Sequence, residues 1–233
     1  MPILILIRHG ENDWVGKRLA GRTPGVHLNE KGQVQAQKIA EALSKAPIKA
    51  VYSSPLERAM ETAVPLAQAL SLDVQPHPGL MEIDFGRWQG KTSKQMHRMK
   101  LWKTVSEQPS QAVFPEGESF VGAQQRLVAA VDEILLHHEK EDLIALVSHS
   151  DAIKLLVAHY LSLPLDNFQR LGVDTASISL VALGEGHPYL VNMNYVLGAS
   201  FSFQKPEKKP RKGRGKSSGD KNGSSNPVEK SDQ

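Results

Sequence analysis

Ile3 to Ile7 reads ILILI, an unbroken apolar run of the kind a parallel strand shows when both of its faces are buried. Leu143 to Val147 (LIALV) reads the same way, and Ala50 to Ser53 is a shorter strand candidate. Ile178 to Leu183 and Tyr189 to Met193 are expected as late strands at the sheet edge. Helical spacing fills the intervals. Behind Asn29, a competent cap, the residues Ala36, Ile39, Ala40 and Leu43 recur at i, i+3, i+4, i+7. Ser54, Pro55 and Glu57 predict a second helix start, with Ser54 as cap, Pro55 at the first helical position and Glu57 closing a capping box. Ala59, Met60, Ala63, Ala67 and Leu70 would form its buried face. Two more helices are predicted, one from Ser119 with Phe120, Leu127, Val131, Ile134 and Leu135 inward, the other from Ser150 to Leu161. Strands alternating with helices predict an α/β protein, a three-layer α/β/α sandwich around a mostly parallel sheet. From Gln204 onward nothing apolar recurs, and Lys, Gly, Ser, Pro and Asn dominate. The expected organisation is one domain over 1–203 and a disordered basic tail over 204–233.

Charge changes this picture little once it is split. The net charge is +3, but nine of the 28 Lys/Arg and four of the 25 Asp/Glu lie between Lys205 and Gln233, so the tail carries +5 and the rest −2. The body offers no basic surface for nucleic acid, and the tail alone would interest an acidic partner. A hydrophobic content of 40% supports a real core. The chain has no cysteine, which excludes disulfides, thiolate metal sites and a cysteine nucleophile. No apolar stretch approaches the roughly 18 residues of a spanning helix, so a soluble cytoplasmic protein is expected.

In a parallel α/β sheet, ligands bind beyond the carboxyl ends of the strands. Arg8-His9-Gly10-Glu11-Asn12 follows the first strand, Ser53-Ser54-Pro55-Leu56-Glu57-Arg58 follows the Ala50 candidate, and Ser148-His149-Ser150-Asp151 follows LIALV. Three strand ends thus offer two histidines and two arginines to one crevice. Guanidiniums are permanently charged donors matched to phosphate oxygens, and Arg58 would stand in a helical first turn, whose positive end also favours an anion. An imidazole held through its other nitrogen is a competent nucleophile toward phosphorus. Gly10 would let the backbone approach closely. A proton donor for the leaving oxygen is still needed, and Glu11, Asp13, Glu82 and Asp151 are candidates; Glu82 precedes Phe85 and Trp88, an aromatic wall that would raise its pKa. Each tripeptide alone occurs by chance, and a strand-end histidine is commonly satisfied by backbone; only the conjunction points to phosphate chemistry. No HExxH, EF-hand or P-loop pattern occurs.

Five segments together, RHGEN (Arg8–Asn12), SSPLERAMETA (Ser53–Ala63), EIDFGRWQG (Glu82–Gly90), FPEGES (Phe114–Ser119) and VSHSDAIK (Val147–Lys154), resemble the histidine phosphatase superfamily, the phosphoglycerate mutase-like group. LAGRTPGVHLNEKG (Leu19–Gly32) and FQRLGVDTASIS (Phe168–Ser179) are similar to its broad-specificity phosphatase branch. The resemblance implies a phosphoglycerate mutase-like fold and a phosphoric monoester hydrolase of the histidine acid phosphatase type. His9 would be the nucleophile, Arg8, Arg58 and His149 would complete the phosphate pocket, and Glu82 would be the general acid and then the base. Asn12 and Arg22 match positions lining the phosphate or substrate side. Family members need no metal or other cofactor for this chemistry.

Two departures matter. Ser150 stands where the family often has Gly, so a backbone N–H there would meet phosphate in a tighter pocket. The mutases resemble ERHYG after the acid, whereas this chain reads EIDFGRWQG, which favours hydrolysis over a cofactor-dependent phosphoglycerate mutase, and the intact set of site residues favours an enzyme over an idle phosphate-binding module. The expected partner is a small phosphorylated substrate, with homodimerisation left open. Between Lys91 and Glu118, Lys94, His97, Arg98, Lys100 and Lys103 stand beside Met96, Met99, Leu101 and Trp102. Those cations would either grip a second anion or face water.

Overall fold

The computed structural model describes residues 2–184 and 187–198. Six strands form one sheet: β1 (Ile3–Arg8), β2 (Ile48–Ser53), β3 (Val74–Pro76), β4 (Leu143–Ser148), β5 (Ile178–Ala182) and β6 (Tyr189–Tyr195), in the order β3-β2-β4-β1-β5-β6. The first four run parallel; β5 pairs antiparallel with β1, and β6 pairs antiparallel with β5. The helices are α1 (Glu30–Leu43), α2 (Glu57–Leu70), two short ones α3 (Ser93–Met96) and α4 (Trp102–Glu107), then α5 (Phe120–Leu135) and α6 (Ser150–Tyr160).

The sheet separates two cores, and the apolar runs are continuous because each strand feeds both. Leu4 and Leu6 of β1 with Ile144 and Leu146 of β4 join Leu127 and Val131 of α5 and Leu155 and Leu156 of α6. The intervening Ile5, Ile7, Ala145 and Val147 join Ile39 and Ala40 of α1 and Ala59, Ala63 and Leu66 of α2. Each fully buried Leu or Ile contributes about 1.5–3 kcal/mol. The three-layer sandwich and its mostly parallel sheet are therefore present.

Local signals held where the cap side chain's oxygen accepts from the helix backbone. Asn29 caps α1 and Ser119 caps α5, each accepting from the backbone N–H three residues on, at 2.9 Å. Ser54 does not cap α2. That helix starts at Glu57 with Leu56 at the cap position and no side-chain cap. Ser54 Oγ lies 2.8 Å from His149 Nε2, and Glu57 Oε1 accepts from the Gly25 N–H at 2.9 Å, so both members of the expected box are engaged elsewhere. The short β3 has no apolar run to announce it. The expected domain end at 203 and the tail over 204–233 lie outside the described residues.

Candidate active site

Strand order brings the site together. β2, β4 and β1 are neighbours, and Ser53 pairs beside Val147 while Arg8 pairs with Ser148. Adjacent strands lie about 4.8 Å apart, so the residues after each carboxyl end are neighbours although they are distant along the chain. The His9 and His149 rings stand with centroids 5.2 Å apart. A cavity of about 150 Å³ lies over His9, with Arg8, His9, Asn12, Arg58, Glu82 and Ser150 in its wall.

The β1–α1 connection is held tightly against α1. A Cβ on Gly10 would come within 2.6 Å of the Gly32 carbonyl oxygen, so no larger residue fits at this crossing. Gly10 N–H donates to Thr62 Oγ1 at 2.9 Å, and that hydroxyl donates to the Arg58 carbonyl at 2.7 Å. His9 and Arg58 are thereby fixed to each other through α2.

His9 is buried, and its Nδ1 lies 2.7 Å from the Gly10 carbonyl oxygen. A carbonyl can only accept, so Nδ1 carries the proton and Nε2 keeps its lone pair. Burial first, then the charges of Arg58 and Arg8, hold the His9 pKa well below the ordinary histidine value. Burial and the same arginines, with His9 between them in effect, do the same to His149. Both imidazoles are neutral at neutral pH.

The two guanidiniums are underpaired. Arg58 is 1% exposed; its Nη2 donates to the Gly21 carbonyl at 2.7 Å, but Nε and Nη1 are buried with no partner. Arg8 Nη1 donates to the Val173 carbonyl at 2.7 Å, and its Nε is likewise buried and unpartnered. Among the described residues neither has a carboxylate within salt-bridge distance. Buried charges without partners are rare and costly, and such an arrangement persists where a ligand completes it.

Glu82 stands on the other side. Its Oε1 accepts from Ile83 N–H at 3.0 Å and from Ala152 N–H, in the first turn of α6, at 3.2 Å. Burial above all, with the Asp151 charge added, pushes its pKa up to about 7 against the pull of the Ile83 N–H, Arg58 and Arg8. Asn12 is buried and turns its Oδ1 to the Trp14 N–H at 3.0 Å. Ser150 donates to the Val173 carbonyl at 3.4 Å. His149 is fully buried behind the cavity wall, beside His9.

Arg22 departs from its expected place, since it does not line the cavity. Its Nη2 donates to Glu118 Oε1 at 2.6 Å and its Nε to the Glu82 carbonyl at 2.9 Å, so it is drawn behind the acid by a carboxylate. Arg126 of α5 completes this arrangement. It donates to both Glu118 oxygens at 2.9 and 3.0 Å and to the carbonyls of Gly79 and Met81 at 2.6 and 3.1 Å. Two arginines sharing one carboxylate thus clamp the backbone from Gly79 to Glu82. No motif singled out Arg126, and Glu118 stood only as a member of the FPEGES segment. Burial alone would raise the Glu118 pKa, but the hydrogen bond and charge of Arg126 and the charge of Arg22 outweigh it and hold it below the usual carboxylate range. Glu118→Ala is therefore expected to cost about 2–3 kcal/mol, because it leaves two part-buried guanidiniums short of a partner. That corresponds to a drop in Tm of about 4–12 °C. Because the folded-state pKa is depressed, the deficit is full above the ordinary glutamate value and shrinks as pH falls through the folded one. Thermal melts of both proteins from pH 3 to 7 check it; parallel curves would refute the clamp.

Comparison with known proteins decides the family. The sequence profile of the histidine phosphatase superfamily (branch 1) matches residues 4–196. The chain belongs to the histidine phosphatase superfamily. This histidine phosphatase family member is 30% identical over 199 residues to Phosphoserine phosphatase 1 of Hydrogenobacter thermophilus, covering 83% of this chain and 92% of that protein. It is 34% identical over 190 residues to a protein of Proteus mirabilis named "Probable phosphoglycerate mutase", covering 80% and 87% of the two. Its fold matches that of the mycobacterial glucosyl-3-phosphoglycerate phosphatase with a TM-score of 0.76 at 29% identity, over 82% of this chain and 98% of the other. Among the described residues no helix is long and apolar enough to cross a membrane, and no three His, Cys, Asp or Glu side chains are grouped to hold a metal ion.

Proposed function

We propose that this chain is a phosphomonoester hydrolase working through a phosphohistidine at His9. One observation carries the reading: Arg58, buried and with two unpartnered N–H groups, stands beside a neutral imidazole whose free nitrogen is Nε2. The Arg8 and Arg58 guanidiniums bind the phosphoryl oxygens. His9 Nε2 attacks phosphorus in line, the Nε2–P bond forms, and the bond from phosphorus to the ester oxygen breaks. The Glu82 carboxyl, protonated through its raised pKa, gives its proton to that oxygen. The arginines stabilise charge on the equatorial oxygens, and His149, buried beside His9, acts through that ring as a positioning residue. Water then attacks phosphorus, the Nε2–P bond breaks, and the water proton returns to the Glu82 carboxylate. Asn12 and Ser150 contribute to the cavity wall, and Arg22 acts through the Glu82 backbone as a positioning residue. With Glu82 poised near 7, the reaction does not require an acid medium.

The relatives named as mutases frame a second reading, transfer between two positions of a phosphoglycerate. It has less support, because Lys94, Arg98, Lys100 and Lys103 are exposed and none lines the cavity. Mixing the protein with a ³²P-labelled aryl phosphate and quenching in base should trap an alkali-stable, acid-labile label on the peptide holding His9. A label on another residue, or turnover without any label, would overturn the mechanism. With 3-phosphoglycerate and a bisphosphoglycerate primer, free phosphate is expected and isomerisation is not.

A further inference from the structure

Beside the cavity over His9 lies a second one of about 200 Å³, and the two share Leu19, Phe85 and Asp151 as walls. Met96 of α3 and Trp102 and Val105 of α4 line it, together with Trp88, Phe114 and Phe120. Asp151 is the one formally charged residue in that lining, and it is paired with Lys154 at 3.2 Å. Lys94, His97, Arg98, Lys100 and Lys103 are exposed and none lines this cavity, so the segment turns apolar residues to the cavity and these basic ones outward. Trp88 is 1% exposed, and its Nε1 is buried with no partner. Arg18, in the wall of the first cavity, donates to the Gly90 carbonyl at 3.1 Å and does not line the second.

We infer that this second cavity receives the leaving group, and that the substrates are phosphomonoesters of neutral, apolar alcohols built around an aromatic ring. This rests on the hydrolase reading above and extends it. An apolar cavity of about 150 Å³ is enough to take benzene, so a phenyl ring on a short linker fits here with space to spare. An ether or hydroxyl oxygen on that ring would give the Trp88 N–H an acceptor. A carboxylate sent into the same space would lose its hydration among aromatic walls and meet the charge of Asp151. The phosphoserine and phosphoglycerate in the relatives' names carry such a second anion, so this chain's preference departs from them.

The test compares three primary-alkyl esters whose leaving-group chemistry is similar: 2-phenylethyl phosphate, ethyl phosphate and 3-phosphoglycerate. For the full-length protein, kcat/KM on the phenylethyl ester should exceed that on the ethyl ester by on the order of 100-fold, with 3-phosphoglycerate no better than ethyl phosphate. Trp102→Ala should lower the phenylethyl-to-ethyl ratio at least tenfold, and Trp102→Phe should restore most of it. A wild-type ratio near one, or a preference for 3-phosphoglycerate, overturns the proposal. If no ester is hydrolysed and His9 takes no label, the hydrolase reading fails by itself. Titration with 2-phenylethylphosphonate and ethylphosphonate, followed by tryptophan fluorescence, then decides the cavity: tighter binding of the phenyl compound supports it, and equal binding overturns it.

Discussion

His9→Ala should reduce turnover of an aryl phosphate by at least about 10⁴-fold, as removal of a nucleophile does elsewhere, while the protein stays folded. No other group can take over. His149 is also a neutral imidazole, but it is fully buried outside the cavity wall, and its Nε2 lies 2.8 Å from Ser54 Oγ. The substitution leaves the Gly10 carbonyl without its side-chain donor, a loss of about 1–2 kcal/mol, small against the two cores on either side of the sheet. Arg8 and Arg58 keep their places, since Val173 and Gly21 hold them and not His9. Inorganic phosphate should therefore still bind, within about tenfold of the wild-type affinity, when measured by calorimetry. Loss of turnover together with retained phosphate binding separates a nucleophile from a structural histidine. Retained turnover would remove His9 from the mechanism, and loss of both would show that the imidazole holds the shape of the phosphate site and is not specifically the nucleophile.

The convergence of Arg8, His9, Arg58 and His149 was legible because it follows from strand order. Apolar runs with no alternation announced a parallel sheet, and such a sheet presents its strand ends to one crevice. What was illegible depends on side-chain partners that no local pattern encodes. Arg126 occupies an ordinary position in an amphipathic helix, and only the fold brings it to Glu118 and the carbonyls before Glu82. Ser54 carried a helix-start signature, yet its hydroxyl is turned to His149. Arg22 sat in a motif associated with substrate, but Glu118 holds it one layer back. The 91–118 segment mixes cations with Met and Trp at similar spacing, so its inward side emerges only once Trp102 is seen beside Trp88, ring centroids 6.4 Å apart.

Two of these hidden partners, Arg22 and Arg126, share one effect, which is to fix Glu82. Its backbone is clamped by Arg22 and Arg126, its carboxyl receives two N–H groups, and its proton affinity is raised by burial. A carboxyl poised near 7 serves both halves of the proposed cycle, protonated when the ester oxygen leaves and ionised when water attacks.

Glu82→Gln should accordingly lower kcat by about 10²–10⁴-fold on an alkyl phosphate, and the loss should depend on both pH and leaving group. An alkoxide needs a proton as it departs. In the wild type, cleavage of an alkyl ester should decline as pH rises through about 7, where the acid is lost. A nitrophenolate leaves without help, so phosphorylation of His9 by nitrophenyl phosphate should be far less impaired in the variant. Water attack needs the ionised form, so the labelled intermediate should accumulate in Glu82→Gln with that substrate. In the wild type it should break down faster as pH rises toward 7. Stability runs the other way. A carboxyl whose folded pKa lies above its unfolded value costs stability as pH rises from the ordinary glutamate range through about 7. Glutamine cannot ionise, so the variant should gain on the wild type across that interval and hold a constant margin above it. Rapid-quench labelling, rate profiles for both esters and melts from pH 4 to 9 measure all three. Equal losses on both esters, with no trapped intermediate, would assign Glu82 to shaping the pocket and leave proton transfer to another group.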